Sequence, residues 1–405
     1  MMAAHILLVL SFVFILPTHG QSDNGSQTGS IVDQLLALPE DVQEDLPDDV
    51  KDFLAELDEF EESSWLPSFG VSALLGHRDN VGLSPIVPQS ARFGELRGEG
   101  FLMWLPENPA WEGFAMVDGR FRAYESNGVV DDEQSWLGQA EVQWTPWRWL
   151  ELKARGQGYY QDEVLDLSTT AAQRTVLPVQ VLGGRTDFTT RVNLPLGFAV
   201  EGRVGVGRSE YDSLAEDYDA QDDWVAATWA WRKGIKLSYG EQSVDRDYEF
   251  RNETTAAGRA IEDTFLTFDQ NEEVARIRLA ADWRGRWRLD VSRAELINAD
   301  GAAGFYDYER ERTRAEIEWI SPEQNWELRL EWEERAVAYR NQTVGAGLNP
   351  DPRRQDDRRW RAEVFRWLGD RWQVRAEYED VLSESNEVDA TYRDRIIWLG
   401  FSFNS

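Results

Sequence analysis

The chain has 405 residues, a formal net charge of −32 and no cysteine. The missing cysteine excludes disulfides and thiolate metal sites. The acidic balance excludes nucleic acid as a partner, because phosphate contacts need a basic face. Mean hydropathy is −0.54, which is typical of soluble proteins and also of membrane barrels, since half of each barrel strand faces a polar lumen.

The chain begins with one short apolar run. This run covers residues 6–16 and is too short to cross a bilayer as a helix. Pro17 and Gly20 follow it, and then the sequence becomes polar. The pattern predicts a secretory signal peptide over residues 1–20, cut after Gly20.

An acidic segment over residues 21–66 follows. Pro47 suits a helix start, and the apolar residues between Val50 and Phe60 fall on one helical face. The segment therefore predicts a short amphipathic helix over 48–60. We interpret it as a periplasmic tether, and the alternative is a plug or a docking helix for a periplasmic partner.

From residue 67 to residue 405 the hydropathy pattern has a period of two. In 326–333, for example, apolar side chains from Trp326 to Trp332 alternate with charged ones. A strand places such a pattern on one face and a helix cannot. The chain is thus predicted to be all-β, a transmembrane antiparallel up-and-down β-barrel of about 16 strands. The predicted strands are 68–77, 91–104, 113–125, 135–144, 148–160, 186–193, 197–209, 222–231, 235–249, 272–283, 287–297, 308–319, 325–338, 357–367, 371–383 and 391–404.

The connections between these strands alternate between short turns and long loops. The long loops are predicted over 161–185, 250–271 and 339–356. Short turns on one side and long loops on the other are typical of outer-membrane barrels, whose long loops face the outside of the cell. An even strand number then puts both ends of the barrel on the periplasmic side.

Tryptophan residues cluster beside the short turns. An indole ring settles where an apolar layer meets water, because its body is apolar and its N–H needs a partner. We therefore predict a belt of tryptophans at one membrane interface. Its members are Trp104, Trp111, Trp144, Trp149, Trp231, Trp283, Trp287, Trp319, Trp326, Trp367 and Trp372.

The polar face of the predicted strands carries charges of both signs and is assigned to the lumen. Two interpretations remain open. Charged rings could line a water-filled pore that passes small solutes or serves the export of a surface polymer. Arg–carboxylate pairs could instead fill a closed structural barrel that displays its long loops for adhesion. The candidate lumen residues are Glu141, Lys153, Arg155, Arg203, Arg276, Arg278, Arg288, Asp290, Arg314, Glu316, Arg329, Glu331, Arg361, Glu363, Arg375 and Glu377.

Both ends of the predicted barrel resemble known outer-membrane proteins. The alternation from Ile397 to Phe403 resembles the terminal strand of bacterial outer-membrane proteins, except that Asn404 and Ser405 follow the aromatic residue. Residues 71–81 resemble the first strand of β-barrel porins, some of which are encoded in polysaccharide-export gene neighbourhoods. The resemblance implies an outer-membrane location and three partners: membrane lipid, lipopolysaccharide and the barrel-insertion machinery.

The last long loop carries a cluster of arginines, Arg353, Arg354, Arg358 and Arg359. Guanidinium groups bind phosphate well, so this basic patch is a candidate for contacting the phosphates of lipopolysaccharide.

Enzymatic activity is not predicted. After residue 20 the chain has a single histidine, His77, and no serine signature accompanies it for nucleophilic catalysis. The acidic run 212–223 lacks the spacing of a calcium loop. No metal or cofactor site is predicted.

Overall fold

The structure, a computed structural model, describes residues 65–106, 108–125, 130–166, 176–212, 216–231, 234–345, 350–387 and 390–405. The predicted signal peptide over 1–20 lies outside these residues. The predicted helix over 48–60 lies outside them too, as does nearly all of the acidic segment.

The described residues form sixteen antiparallel strands in one closed barrel. Each strand pairs with its neighbours along the chain, and the last strand closes the barrel against the first. The predicted fold and strand number are confirmed. In chain order the strands are β1 Trp65–Arg78, β2 Ala91–Trp104, β3 Trp111–Tyr124, β4 Asp132–Trp147, β5 Leu150–Asp166, β6 Val176–Asn193, β7 Phe198–Tyr211, β8 Tyr218–Trp231, β9 Ile235–Tyr248, β10 Thr267–Asp282, β11 Arg286–Asp300, β12 Tyr308–Ile320, β13 Trp326–Val344, β14 Asp351–Leu368, β15 Trp372–Ser385 and β16 Tyr392–Asn404.

The alternation in the sequence becomes an inner and an outer face. On β13, Glu327, Arg329 and Glu331 are buried, whereas Trp326 and Leu330 are exposed. Residues that are directly opposite in the register of two strands share a face, so this assignment extends around the barrel. The charged residues point inward and the apolar residues point outward.

Two of the predicted long loops are wrong. The region 161–185 is mostly strand, because β5 runs to Asp166 and β6 begins at Val176. The region 339–356 is also mostly strand. The predicted loop 250–271 is nearly right, since β9 ends at Tyr248 and β10 begins at Thr267.

The short turns bring neighbouring strands into close contact. The turn between β6 and β7 is a 3-10 turn over Pro195–Gly197, in which Gly197 has a φ of +80°. A Cβ atom at Gly197 would lie 2.3 Å from the carbonyl oxygen of Ala230, so the turn requires glycine for both reasons. In the described part of the chain, no helix is long and apolar enough to cross a bilayer.

Candidate functional site

The outer face of the barrel is an apolar belt. Leu75, Val206 and Leu399 are exposed over 75%, 60% and 55% of their surfaces. Apolar side chains this exposed recur on strand after strand around the wall. Contiguous apolar surface of this extent is unstable in water but suits a bilayer, in which a closed barrel also satisfies every backbone group.

Tryptophan rings mark the edge of this belt at the short turns. Trp111 stacks on Trp144 with ring centroids 5.4 Å apart, and Trp147 stacks on Trp149 at 5.2 Å. The other predicted interface residues on the outer face or in the turns at this end are Trp104, Trp231, Trp283, Trp287, Trp319, Trp326 and Trp372.

Trp367 is the exception, and its prediction as an interface residue is wrong. It lies opposite Gln373 in the register of β14 and β15, and Gln373 is buried on the inner face. A position beside a turn fixes the height of a residue on the barrel. The face on which a residue lies is fixed by the alternation of side chains along the strand. Trp367 is separated by an even number of positions from Phe365 and Glu363, which are buried, so it lies on the inner face as they do.

A second aromatic girdle at the other edge of the belt was missed by the sequence analysis. Trp136 and Trp144 are eight residues apart on β4, which is about 27 Å along the strand and about 20 Å along the membrane normal. That height is close to the apolar thickness of an outer membrane. The alternation along each strand places these aromatic residues on the outer face, so the sequence pattern could have identified them. The members are Trp136, Tyr160, Tyr239, Trp332, Trp360 and Tyr378.

Beyond this girdle the outer wall is charged. Glu241 lies directly opposite Glu273, and Asp245 lies directly opposite Asp269. Carboxylates that face each other in this way cannot lie in hydrocarbon. The charged wall therefore fixes the upper limit of the apolar belt.

The prediction that four arginines form one patch in a loop is wrong, because they lie on β14 and are divided between its two faces. Arg353 points inward with its guanidinium 4.8 Å from the Tyr339 ring, and Arg359 is paired with Glu379 inside the barrel. Arg354 and Arg358 point outward and are exposed. Alternation along β14 separates them.

The candidate lumen residues all lie on the inner face, where they form two distinct sectors. One sector, over β12–β16 and β1–β4, is packed. Glu363 is 2% exposed and contacts Arg361 at 2.9 Å, Arg329 at 3.5 Å and Arg375. The other candidates in this sector are Arg314, Glu316, Glu331 and Glu377.

Ion pairs also link strands that are not neighbours in this packed sector. Arg78 of β1 contacts Glu133 of β4, three strands away, at 3.1 Å, and it also contacts Asp394 of the adjacent β16 at 2.8 Å. Trp398 is buried between two guanidinium groups, 5.1 Å from Arg97 and 4.7 Å from Arg375. Side chains therefore fill the inside of the barrel here, so this sector offers no route for a solute.

The β5–β6 hairpin adds to this filling at the loop end. The Tyr392 hydroxyl of β16 donates a hydrogen bond to the Asp166 carboxylate of β5 at 3.1 Å. These strands are five positions apart around the wall, about 24 Å at the usual strand spacing. The contact must therefore cross the inside of the barrel. Val164 of β5 belongs to the same buried apolar cluster as Phe93 of β2 and Trp398 of β16.

The second sector, over β5–β11, is open to water near the short turns of β10 and β11, whereas inner residues nearer the loops, such as Tyr248 and Phe268, are buried. Arg276, Arg278 and Arg288 are exposed over 36%, 40% and 44% of their side chains. The arginines and carboxylates around Glu363 are only 2–7% exposed. The larger exposed fractions of these three arginines show that this part of the wall borders solvent. The remaining candidates of this sector are Lys153, Arg155, Arg203 and Asp290. Glu141 lies at the border of the two sectors, on β4, and contacts Lys153 of β5 at 3.7 Å.

In the part of the chain that the structure describes, groups suited to catalysis are not brought together. His77 lies at the end of β1 on the outer face, where it contacts Asp79 at 3.2 Å. Within the described ranges, no three His, Cys, Asp or Glu side chains are arranged to hold a metal ion.

No family model matches the sequence, and no curated protein matches it. Several solved structures are similar to the chain. A bacterial polysaccharide outer membrane secretin is 10% identical with a TM-score of 0.42, over 85% of this chain and 99% of its own. OccAB4 of Acinetobacter baumannii is 7% identical with a TM-score of 0.48, over 85% and 99%. An anion-selective porin from Comamonas acidovorans is 9% identical with a TM-score of 0.44, over 85% and 100%.

Because these identities are low, we take the nature of the molecule from its own residues. The wall is closed, its outer face is apolar, and aromatic girdles bound that face on both sides. The charged residues that alternate with the apolar ones along each strand point to the inside of the barrel. The chain is a membrane-spanning β-barrel of the up-and-down type.

Proposed function

We propose that the chain is an outer-membrane channel that passes small solutes along the open sector of its lumen. The observation that carries the proposal is the contrast between the two sectors, because water reaches Arg276, Arg278 and Arg288 on the inner face of β10 and β11 and is excluded from the side chains around Glu363. Sixteen strands is also the size at which barrels leave an aqueous channel. The passage is narrower than the wall alone would make it, since the packed sector and the β5–β6 hairpin occupy part of the lumen.

The proposal is tested by the conductance of the purified, refolded full chain in planar lipid bilayers. We expect discrete, ohmic steps, because a fixed wall of charged side chains needs no gating event to conduct. A folded barrel that shifts its gel mobility on heating but produces no steps would contradict the proposal. If conductance steps are also absent after deletion of residues 21–62, the N-terminal segment is not what blocks the channel.

A further inference from the structure

The lumen-facing sides of β9, β10 and β11 carry a patch of cationic side chains close to the short turns. Lys236 lies directly opposite Arg278, which in turn lies opposite Asp290. In the adjacent row, Arg276 lies between Ser238 and Ser292. We call Lys236, Arg276, Arg278 and Arg288 the β9–β11 basic patch.

The carboxylates in contact with this patch are too few to neutralise it. Asp290 is shared, since it accepts a hydrogen bond from Nε of Arg276 at 2.6 Å and from Nε of Arg278 at 3.1 Å. Arg288 contacts Glu318 at 2.7 Å. Among the described residues, no carboxylate lies within ion-pairing distance of Lys236. Glu201 attracts Lys236 only from beyond that distance and is itself paired with Arg191 at 3.8 Å. The four cations of the patch therefore contact two carboxylates.

This surplus of positive charge distinguishes the patch from the other inner arginines. In the packed sector Arg361 and Arg375 both contact Glu363 and Glu377, and all four side chains are at most 7% exposed. Their charges are matched and water does not reach them. The basic patch has unmatched charge and is accessible from the lumen.

Like charges opposite each other on neighbouring strands destabilise a sheet. Lys236 and Arg278 stand in this relation, and Arg191 also interacts with Lys236 as a like charge. An anion between these groups would relieve the repulsion. Arginine forks bind carboxylate and phosphate with two parallel hydrogen bonds, and the hydroxyls of Ser238 and Ser292 lie beside Arg276 to donate further bonds.

We propose that the β9–β11 basic patch binds the oxyanion group of small anionic solutes, carboxylates or phosphates, as they pass through the lumen. The proposal rests on the channel function above and names its substrate class. A concave, low-dielectric wall focuses the potential of uncompensated charges into the passage. The patch therefore raises the local concentration of anions and lowers that of cations, and the channel prefers anions.

The test is the reversal potential of the refolded full chain under a KCl gradient. We expect the wild-type channel to prefer chloride over potassium. The double variant Lys236→Gln/Arg278→Gln lowers this preference about fivefold, as expected for charges removed from within a few ångströms of the ion path. The matched control Arg340→Gln/Arg358→Gln removes the same charge from the outer wall and leaves the preference unchanged.

Block of the chloride current by inorganic phosphate or by succinate, added separately, then identifies the source of the oxyanion. The solute that blocks the wild type at lower concentration than it blocks the double variant is the one that the patch binds. A wild-type channel without anion preference, or the same preference in the wild type and the double variant, would overturn the proposal and leave the channel function intact. The absence of any conductance would overturn both.

Discussion

Single charged residues inside the barrel have one of two roles, and exposure to water separates them. Glu363 contacts three arginines, which Glu377 and Glu327 also help to neutralise, and it is sealed from the lumen. Lys236 has no carboxylate in contact among the described residues and borders the open sector. A charge in the first setting holds the wall together, whereas a charge in the second acts on the solution in the lumen.

Replacing Glu363 by Gln is expected to destabilise the barrel strongly. The change leaves Arg329, Arg361 and Arg375 without their shared counterion in a buried setting, which costs about 3–5 kcal/mol. The measurement is the urea midpoint of folding into lipid vesicles, followed by heat-modifiable gel mobility.

The matched control for this prediction is Glu309→Gln. Glu309 also contacts an arginine, Arg340 at 2.8 Å, but it is 59% exposed on the outer wall. Its loss should cost less than about 1 kcal/mol. Equal midpoints for the two variants would show that the network around Glu363 does not hold the wall.

The inner or outer face of a residue could be predicted from the sequence, because parity along a strand is local information. This is why all the candidate lumen residues lie inside. Trp367 was misplaced because it was assigned from its turn and not from its parity with Glu363. The pairing partners could not be predicted, since a contact such as that of Arg78 with Glu133 depends on the register of strands that are not neighbours.

At the scale of the element, the β5–β6 hairpin shows why the ends of long strands could not be predicted from the sequence. Where a strand passes through lipid, its outer side chains must be apolar, and the alternation is visible. Beyond the girdles both faces are polar or small, as in Gln161-Asp162 of β5 or Asp356-Asp357 of β14. The period of two disappears there while the backbone pairing continues, so the predicted loops were too long.

The hydrogen bond from Tyr392 to Asp166 is expected to hold this hairpin across the lumen. Tyr392→Phe removes the donor and leaves a buried carboxylate without it, a loss of about 1–2 kcal/mol that should increase opening about 5- to 30-fold. The chain has no cysteine, so a single Val164→Cys substitution reports opening through its rate of thiol labelling.

Labelling of Val164→Cys should therefore be faster in the Tyr392→Phe background than in the wild-type background. Tyr378→Phe is the control, because Tyr378 lies on the outer face of β15 and is exposed. If all three backgrounds label at one rate, the hairpin is held by packing around Val164 and not by the hydroxyl.

At the scale of the whole molecule, the apolar belt lies between two aromatic girdles and sets the position of the barrel in the bilayer. The closure, the strand number and the girdle at the short turns could all be predicted, because they follow from periodicity and turn spacing. The division of the lumen into a packed and an open sector could not, because it arises from how side chains from many strands meet.

The depth of the belt can be tested on a single strand. Leu330 and Ala336 both lie on the outer face of β13, and Trp332 of the upper girdle lies between them. Leu330→Arg should cost about 2–4 kcal/mol, because the charge enters the apolar belt, and Ala336→Arg should cost less than about 1 kcal/mol. Urea titration of folding in vesicles measures both, and equal costs would contradict the assigned height of the girdle.

The length of the strands beyond the upper girdle has a consequence for how a solute arrives. From Trp360, β14 continues nine residues to Asp351, about 30 Å along the strand and about 20 Å along the barrel axis. In the proposed setting this part of the rim stands about 20 Å above the aromatic girdle, which is more than two Debye lengths at a physiological Debye length of about 8 Å. The negative head groups are thus screened at the entrance, and an anion meets little repulsion before it reaches the basic wall within.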